Sequence, residues 1–309
     1  RAPDPPLRAE ADPPAAGVTV LEVDDVSKHY RSGAGIDEVS LTVAEGEVFG
    51  FLGPNGAGKS TTIRLIMDLI RPNAGRIRVL GRDVHREGRA ARRRLGYLPG
   101  ELALYEQLTG GQVLDHLAAL RPAFEGGAGV AELAERLHLD LGRPIKELSR
   151  GNKQKVGLVQ AFMGSPMLVI LDEPTSGLDP LMQREVRSLM EEAAARGAAV
   201  FLSSHVLSEV SEVAHRVAII RAGRLVATET VDGLRSRAVR RVEVRTARPI
   251  PPDAFATVDG ATLVSVSGTH ASVDVTGPMD PIVKVLAHHE VIDLVAGEPD
   301  LEDIFLGFY

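Results

Sequence analysis

The stretch Gly53-Pro54-Asn55-Gly56-Ala57-Gly58-Lys59-Ser60-Thr61 constrains this chain more than any other, because G-x-x-x-x-G-K-[ST] binds phosphate only when a strand enters it and a helix leaves it. Both flanks are present. Val48-Phe49-Gly50-Phe51-Leu52 reads as a buried strand, and Thr62 to Ile70 reads as a helix. The glycines at 53, 56 and 58 let the backbone turn tightly, so that successive N–H groups and a helix N-terminus face one anion. The stretch is therefore read as a nucleotide site: Lys59 reaches the β- and γ-phosphates, Ser60 offers its hydroxyl to Mg²⁺, and Thr61 reaches the inner phosphates. A glycine-rich turn without a ligand is the bland alternative, and the flanks count against it.

Further along, Met167-Leu168-Val169-Ile170-Leu171 is the continuous apolar run of a strand buried on both faces, and it ends in Asp172-Glu173. Two carboxylates at the tip of a buried strand are costly without a role. Beside a phosphate loop, Asp172 would hold Mg²⁺ through water and Glu173 would polarise the water attacking the γ-phosphate. Ala198 to Leu202 is another buried strand, ending in Ser203-Ser204-His205. A histidine there is either structural or a third polar strand tip at the same site, since open α/β sheets bind ligands at the carboxyl ends of their strands.

Around these elements the chain reads as an α/β phosphate-loop core with an antiparallel β subdomain, a helical subdomain and a small C-terminal α+β domain. Residues 1–16, rich in proline, are expected to be a disordered tail. Residues 17–231 form the nucleotide-binding domain. In it, Val18 to Val26 and Val39 to Val43 alternate as an antiparallel hairpin, followed by a strand from Arg76 to Leu80. Tyr30, at the end of the first strand, either stacks on a base or simply packs. Helical periodicity is expected over about 96–165, in Gln112 to Leu120 and Val130 to Leu139, interrupted at Gly126-Gly127-Ala128-Gly129. Arg86, Arg89, Arg92, Arg93 and Arg94 read as a solvated helix face, with lipid headgroups or a partner as the minor reading. Ser149 or Asn152 can cap the helix that runs to Met163, or make a second phosphate contact. Val217 to Ile220 and Leu225 to Thr228 close the sheet as a hairpin. Residues 232–309 form the accessory domain, joined through Leu234-Arg235-Ser236-Arg237, with short strands and one helix from about Pro281 to His288.

The net charge of −7 argues against a general nucleic-acid surface, and none is expected as a partner. The absence of cysteine excludes disulfides and thiolate metal sites. His288 and His289 lack partners at metal-ligand spacing and read as a solvated helix end. No apolar run approaches the ~20 residues of a membrane helix and no secretory h-region is seen, so the cytoplasm is the expected compartment.

Taken together, these motifs resemble the ATP-binding subunit of an ABC transporter, of the bacterial drug-export type. The resemblance implies ATP and Mg²⁺ as cofactors, with Tyr30 as the adenine-stacking aromatic, Gly53 to Thr61 as the Walker A loop, and Asp172 and Glu173 as the Walker B pair. Asp179, in Ser176-Gly177-Leu178-Asp179, is similar to the D-loop, and His205 to the switch histidine that senses γ-phosphate. Ser149 and Gly151 are similar to the family signature, which binds the ATP held by the opposite subunit. The expected partners are thus a second copy, head to tail with two ATP between the copies, and a separate transmembrane permease at the inner face of the cell membrane. The sequence ending Leu301-Glu302-Asp303-Ile304-Phe305-Leu306 is similar to the accessory domain of many export subunits.

Two positions depart from the family pattern: Arg150 stands where the signature has glycine, and Gly100 where the Gln-loop has glutamine. Glu101 is the neighbouring group that could take over as a metal ligand, since a carboxylate oxygen suits Mg²⁺; the bland reading leaves it solvated. Three rival functions are weighed. A soluble ABC-type ATPase in translation or DNA repair would favour two ATP-binding domains or a long coiled-coil insertion. A GTPase would need Asn-Lys-x-Asp, which Asn152-Lys153-Gln154-Lys155 fails at its last position. A non-hydrolysing regulatory binder is disfavoured by Glu173.

Overall fold

A computed structural model describes residues 17–120, 129–256 and 258–297. The tail 1–16, the stretch Gly126-Gly127-Ala128 and the C-terminal Leu301 to Leu306 lie outside the described residues.

In chain order the elements are β1 (Thr19–His29), β2 (Gly35–Ala44), β3 (Val48–Leu52), α1 (Lys59–Ile66), β4 (Ala74–Val79), β5 (Arg82–Asp83), α2 (Gly88–Ala91) and β6 (Leu95–Leu98). Then follow α3 (Gly110–Ala119), α4 (Val130–Arg136), α5 (Arg150–Phe162), β7 (Leu168–Asp172), α6 (Pro180–Ala195), β8 (Ala199–Ser204) and α7 (Leu207–Ser211). The chain continues through β9 (Arg216–Arg221), β10 (Arg224–Thr230), α8 (Val231–Arg237), β11 (Val239–Thr246), β12 (Ala261–Ser267), β13 (His270–Thr276), α9 (Asp280–Leu286) and β14 (Val291–Ala296). It divides into two compact units, one ending at Glu229 and the other beginning at Thr230.

The first unit holds two sheets. One has the order β2-β1-β4-β5, with β1 antiparallel to β2 and to β4, and its alternating strands bury Val23, Val39, Leu41 and Ile77 on one side. The other has the order β10-β9-β3-β8-β7-β6. Its parallel strands β3, β7 and β8 are buried along their whole length, which is why they read as unbroken apolar runs. Phe201 packs on both Phe49 and Phe51, with ring centroids 6.0 and 5.3 Å apart. Register then places the site. Leu52 lies opposite Ser204, Asp172 opposite Ser203, and Leu98 opposite Leu171, so four parallel strands end at one edge and hand the chain to the loops that follow.

The structure shifts several boundaries. The helix read as Thr62 to Ile70 begins at Lys59 and stops at Ile66. Asp68 turns left-handed at φ 55°, with its carboxylate held by His85 and, at 3.0 Å, by Arg92. The helical stretch expected from about residue 96 opens instead on a strand, because Leu95 to Leu98 pairs with β7. The basic run is not simply a solvated face: the helix is the short α2, Arg92 is spent on Asp68, and Arg94 reaches the Met167 sulfur. Leu234 to Arg237, read as a linker, is the end of α8, with Leu234 buried. Among the described residues no helix is long and apolar enough to cross a membrane.

Beyond Thr230 the second unit has a sheet in the order β12-β13-β11-β14, with each neighbouring pair antiparallel. Val242, Val244, Phe255, Val273, Ile282 and Leu286 form a core of its own.

Candidate functional site

The phosphate loop leaves β3 and turns through Gly56 at φ 81° and Gly58 at φ 118°, conformations that a side chain would strain. It then enters α1, whose first residue is Lys59. The first N–H groups of a helix have no partner within it, so this end is a ready anion cradle. Lys59 is only 6% exposed. Its Nζ donates to the Gly53 carbonyl at 2.6 Å and the Pro54 carbonyl at 3.3 Å, and lies 3.8 Å from Glu173 Oε1. Burial lowers its pKa from the ordinary lysine value, although the charges of Glu173 and then Asp172 pull the other way.

Asp172 ends β7 and is nearly buried. Ser60 Oγ donates to its Oδ2 at 3.3 Å, and Ser203 Oγ, from the adjacent strand β8, donates to its Oδ1. A hydroxyl and a carboxylate converge, both hard oxygen donors of the kind Mg²⁺ prefers. Among the described residues no group of three or more acidic or histidine side chains could hold a metal. The pair therefore fits an ion that takes its remaining ligands from water and substrate phosphates, as Mg²⁺ does.

Glu173 sits at φ 54°, left-handed and uncommon for a side chain of its size. His205 Nδ1 lies 2.7 Å from its Oε2 and 2.9 Å from its Oε1. Strand tip, phosphate-loop lysine and histidine thus meet at one carboxylate.

These groups line one cavity of about 820 Å³, shared by Pro54, Asn55, Gly56, Gly58, Lys59, Ser60, Thr61, Glu101, Asp172, Glu173 and His205. Gly53 and Ala57 shape the loop from behind and are not in its lining. Glu101 faces the cavity and is exposed, and among the described residues nothing holds its carboxylate. At Gly100 a Cβ would come 3.1 Å from Asp172 Oδ2, so any side chain there starts beside that carboxylate.

Four sequence candidates lie elsewhere. Tyr30 follows β1 and is 38% exposed, with Lys28 Nζ 5.7 Å from its ring centre. Ser149 caps α5, accepting from the Asn152 N–H at 3.2 Å, so the cap is Ser149 rather than Asn152. Asp179 caps α6, accepting from Leu181 and Met182, and the Met182 N–H foremost lowers its pKa. Gly151 lies in the first turn of α5. None of the four lines the cavity of its own chain.

Sequence reading gave no role in this cavity to Arg64, Tyr97 or Ser176, which line it, or to Ser203, which holds Asp172. Arg150, singled out only as a departure, lines it too. Tyr97 sits on strand β6 as its one half-buried residue, and burial, then the Asp172 charge, raise its phenol pKa. Only its place at a strand end beside the Gln-loop position could have signalled it.

Comparison with known proteins agrees with this geometry. The family model described as ABC transporter matches residues 36–176. The chain is 39% identical over 226 residues to the daunorubicin resistance ATP-binding protein DrrA3 of Streptomyces coeruleorubidus, covering 71% of this chain and 70% of that protein. It is 30% identical over 307 residues to the bacitracin transport ATP-binding protein BcrA of Bacillus licheniformis, covering 93% of this chain and 96% of that one. A solved ATP-binding subunit of an ABC transporter superposes with TM-score 0.65 at 35% identity, over 70% of this chain and 92% of its own.

Proposed function

Since the chain belongs to the ABC transporter family of ATP-hydrolysing cassettes, we propose that it drives export of a small hydrophobic drug or antibiotic through a separate transmembrane permease. The observation that carries this reading is the meeting of Lys59, Ser60, Asp172, Glu173 and His205 in one cavity. Relatives named for bacitracin transport and daunorubicin resistance support the class of compound. The chain works peripherally, at the cytoplasmic face of the membrane that holds the permease.

Within the cavity the loop N–H groups and Lys59 bind the β- and γ-phosphates, and Thr61 the inner ones. Ser60, and Asp172 through water, would hold Mg²⁺, which would supply neutralisation of the phosphate charge. Glu173 accepts a proton from the attacking water. His205, already on that carboxylate, keeps it oriented and meets the γ-phosphate. Tyr30 stacks on the adenine.

Ser149 and Gly151 match the family signature and Asp179 its D-loop, and on that resemblance they serve the ATP of a second copy arranged head to tail; their absence from the lining of their own chain's cavity is compatible with this. The test is isolation of the chain with its membrane partner: a polytopic membrane protein that co-purifies, with ATPase activity responding to the exported compound, supports the reading. An ATPase found only on ribosomes or DNA overturns it.

Two outcomes are expected here. Glu101→Ala raises the Mg²⁺ concentration for half-maximal ATPase activity, and Gly100→Gln on that background lowers it again, because a side chain at residue 100 would start with its Cβ 3.1 Å from Asp172 Oδ2. An unchanged Mg²⁺ titration would leave Glu101 a solvated loop carboxylate. Second, a chain ending at Glu229 should still bind ATP, since every cavity residue lies in the first unit and the second has its own core. A truncated protein with native circular dichroism but no ATP binding would contradict that division.

A further inference from the structure

Glu173 needs a reason to stay in its left-handed conformation. Its N–H is fixed by the Ser203 carbonyl at 3.0 Å, through the neighbouring strand β8. Its carbonyl is fixed from another element. Gln154, 7% exposed on α5, donates its Nε2 to the Glu173 carbonyl and the Pro174 carbonyl, each at 3.1 Å. Residues held outside the common backbone regions persist only where their surroundings over-determine them. Here a strand holds one side of the peptide and a helix the other.

The same turn of α5 grips the loop further on. Arg150 Nη2 donates to Ser176 Oγ at 3.1 Å, and its stem lies 3.8 Å from where a Cβ on Gly177 would be. A Cβ on Gly151 would come 2.8 Å from the Gly177 carbonyl, so the backbones approach as closely as they do only because residue 151 has no side chain. The loop 173–177 is thus held at Glu173 and Pro174, at Ser176 and at Gly177 by one helical turn of the same chain.

We propose that Gln154 is a positioning residue for the hydrolysis step, aiming the Glu173 carboxylate by holding its backbone. The proposal rests on the reading of Glu173 as the base. Gln154 does not line the cavity, so its effect on hydrolysis passes through the backbone of Glu173 and Pro174. That separates it from a side chain that merely satisfies buried carbonyls, whose loss would lower stability without a specific kinetic signature.

The experiment uses the full chain with Gln154→Glu, which keeps the length of the side chain but removes the donor, and Gln154→Met, which keeps the bulk without polarity. ATP affinity, thermal unfolding and single-turnover ATP hydrolysis are measured for each, alone and in a Glu173→Gln background. Expected for a folded variant is a fall of about tenfold or more in the hydrolysis rate with ATP affinity changed by less than about twofold, and no further fall once Glu173 is Gln. Either full hydrolysis in a folded variant, or the same fold-loss in both backgrounds, overturns the role of Gln154. Hydrolysis at the wild-type rate in Glu173→Gln alone overturns the base assignment and this proposal with it, and that result is read without any Gln154 variant.

Discussion

Glu173→Gln is expected to bind ATP as the wild type does and to lose about 10³-fold in turnover, within the range that a positioned general base contributes. The amide keeps the shape of the side chain and can stay near His205 Nδ1, now 2.7 Å from a carboxylate oxygen. It cannot take a proton from water. Lys59, Ser60 and Asp172 are untouched, so phosphate and metal binding persist. With hydrolysis stopped, ATP should hold two copies together, and size-exclusion chromatography in ATP should show a dimer. A monomer in ATP with undiminished turnover would remove Glu173 from the mechanism.

Lys59→Ala is expected to weaken ATP binding by about 10²-fold, the loss that follows from removing a charge-assisted contact worth up to about 3 kcal/mol. In the free chain the ammonium is desolvated and answered only by the Gly53 and Pro54 carbonyls and by carboxylates. Phosphate oxygens improve that environment, so ATP binding raises a pKa that burial had lowered. The sign follows: between the lowered and the restored value, binding takes up a proton, and affinity falls as pH rises through that window. Titration calorimetry at alkaline pH, in two buffers of different ionisation enthalpy, should report proton uptake in the wild type and none in Lys59→Ala. Equal affinity in the two proteins would show that the lysine does not reach the phosphates.

Much of the cavity was legible because its parts are local. The glycine spacing of the phosphate loop, the apolar runs of β3, β7 and β8 and the polar residues at their tips each fit in a window of a few residues. Boundaries were less legible. Helix α1 ends where Asp68 turns left-handed and is held by Arg92, a residue 24 positions away that no local pattern reveals. The strand Leu95–Leu98 was absorbed into a helical stretch, since a short apolar run has no period of its own and only pairing with β7 makes it a strand.

The sequence by itself determined that this chain builds a phosphate loop between a buried strand and a helix, with carboxylates and a histidine at the tips of later strands. Periodicity and special backbone positions are written residue by residue. Only the tertiary structure decided that β3 lies between β8 and β9, that Ser203 reaches Asp172, and that Gln154 reaches back to Glu173. The parallel order comes from crossovers through intervening helices, and Asp172 and Ser203 stand 31 residues apart. Contacts over such distances carry no sequence period, because they are chosen by which buried faces pack together and which polar groups must then find partners.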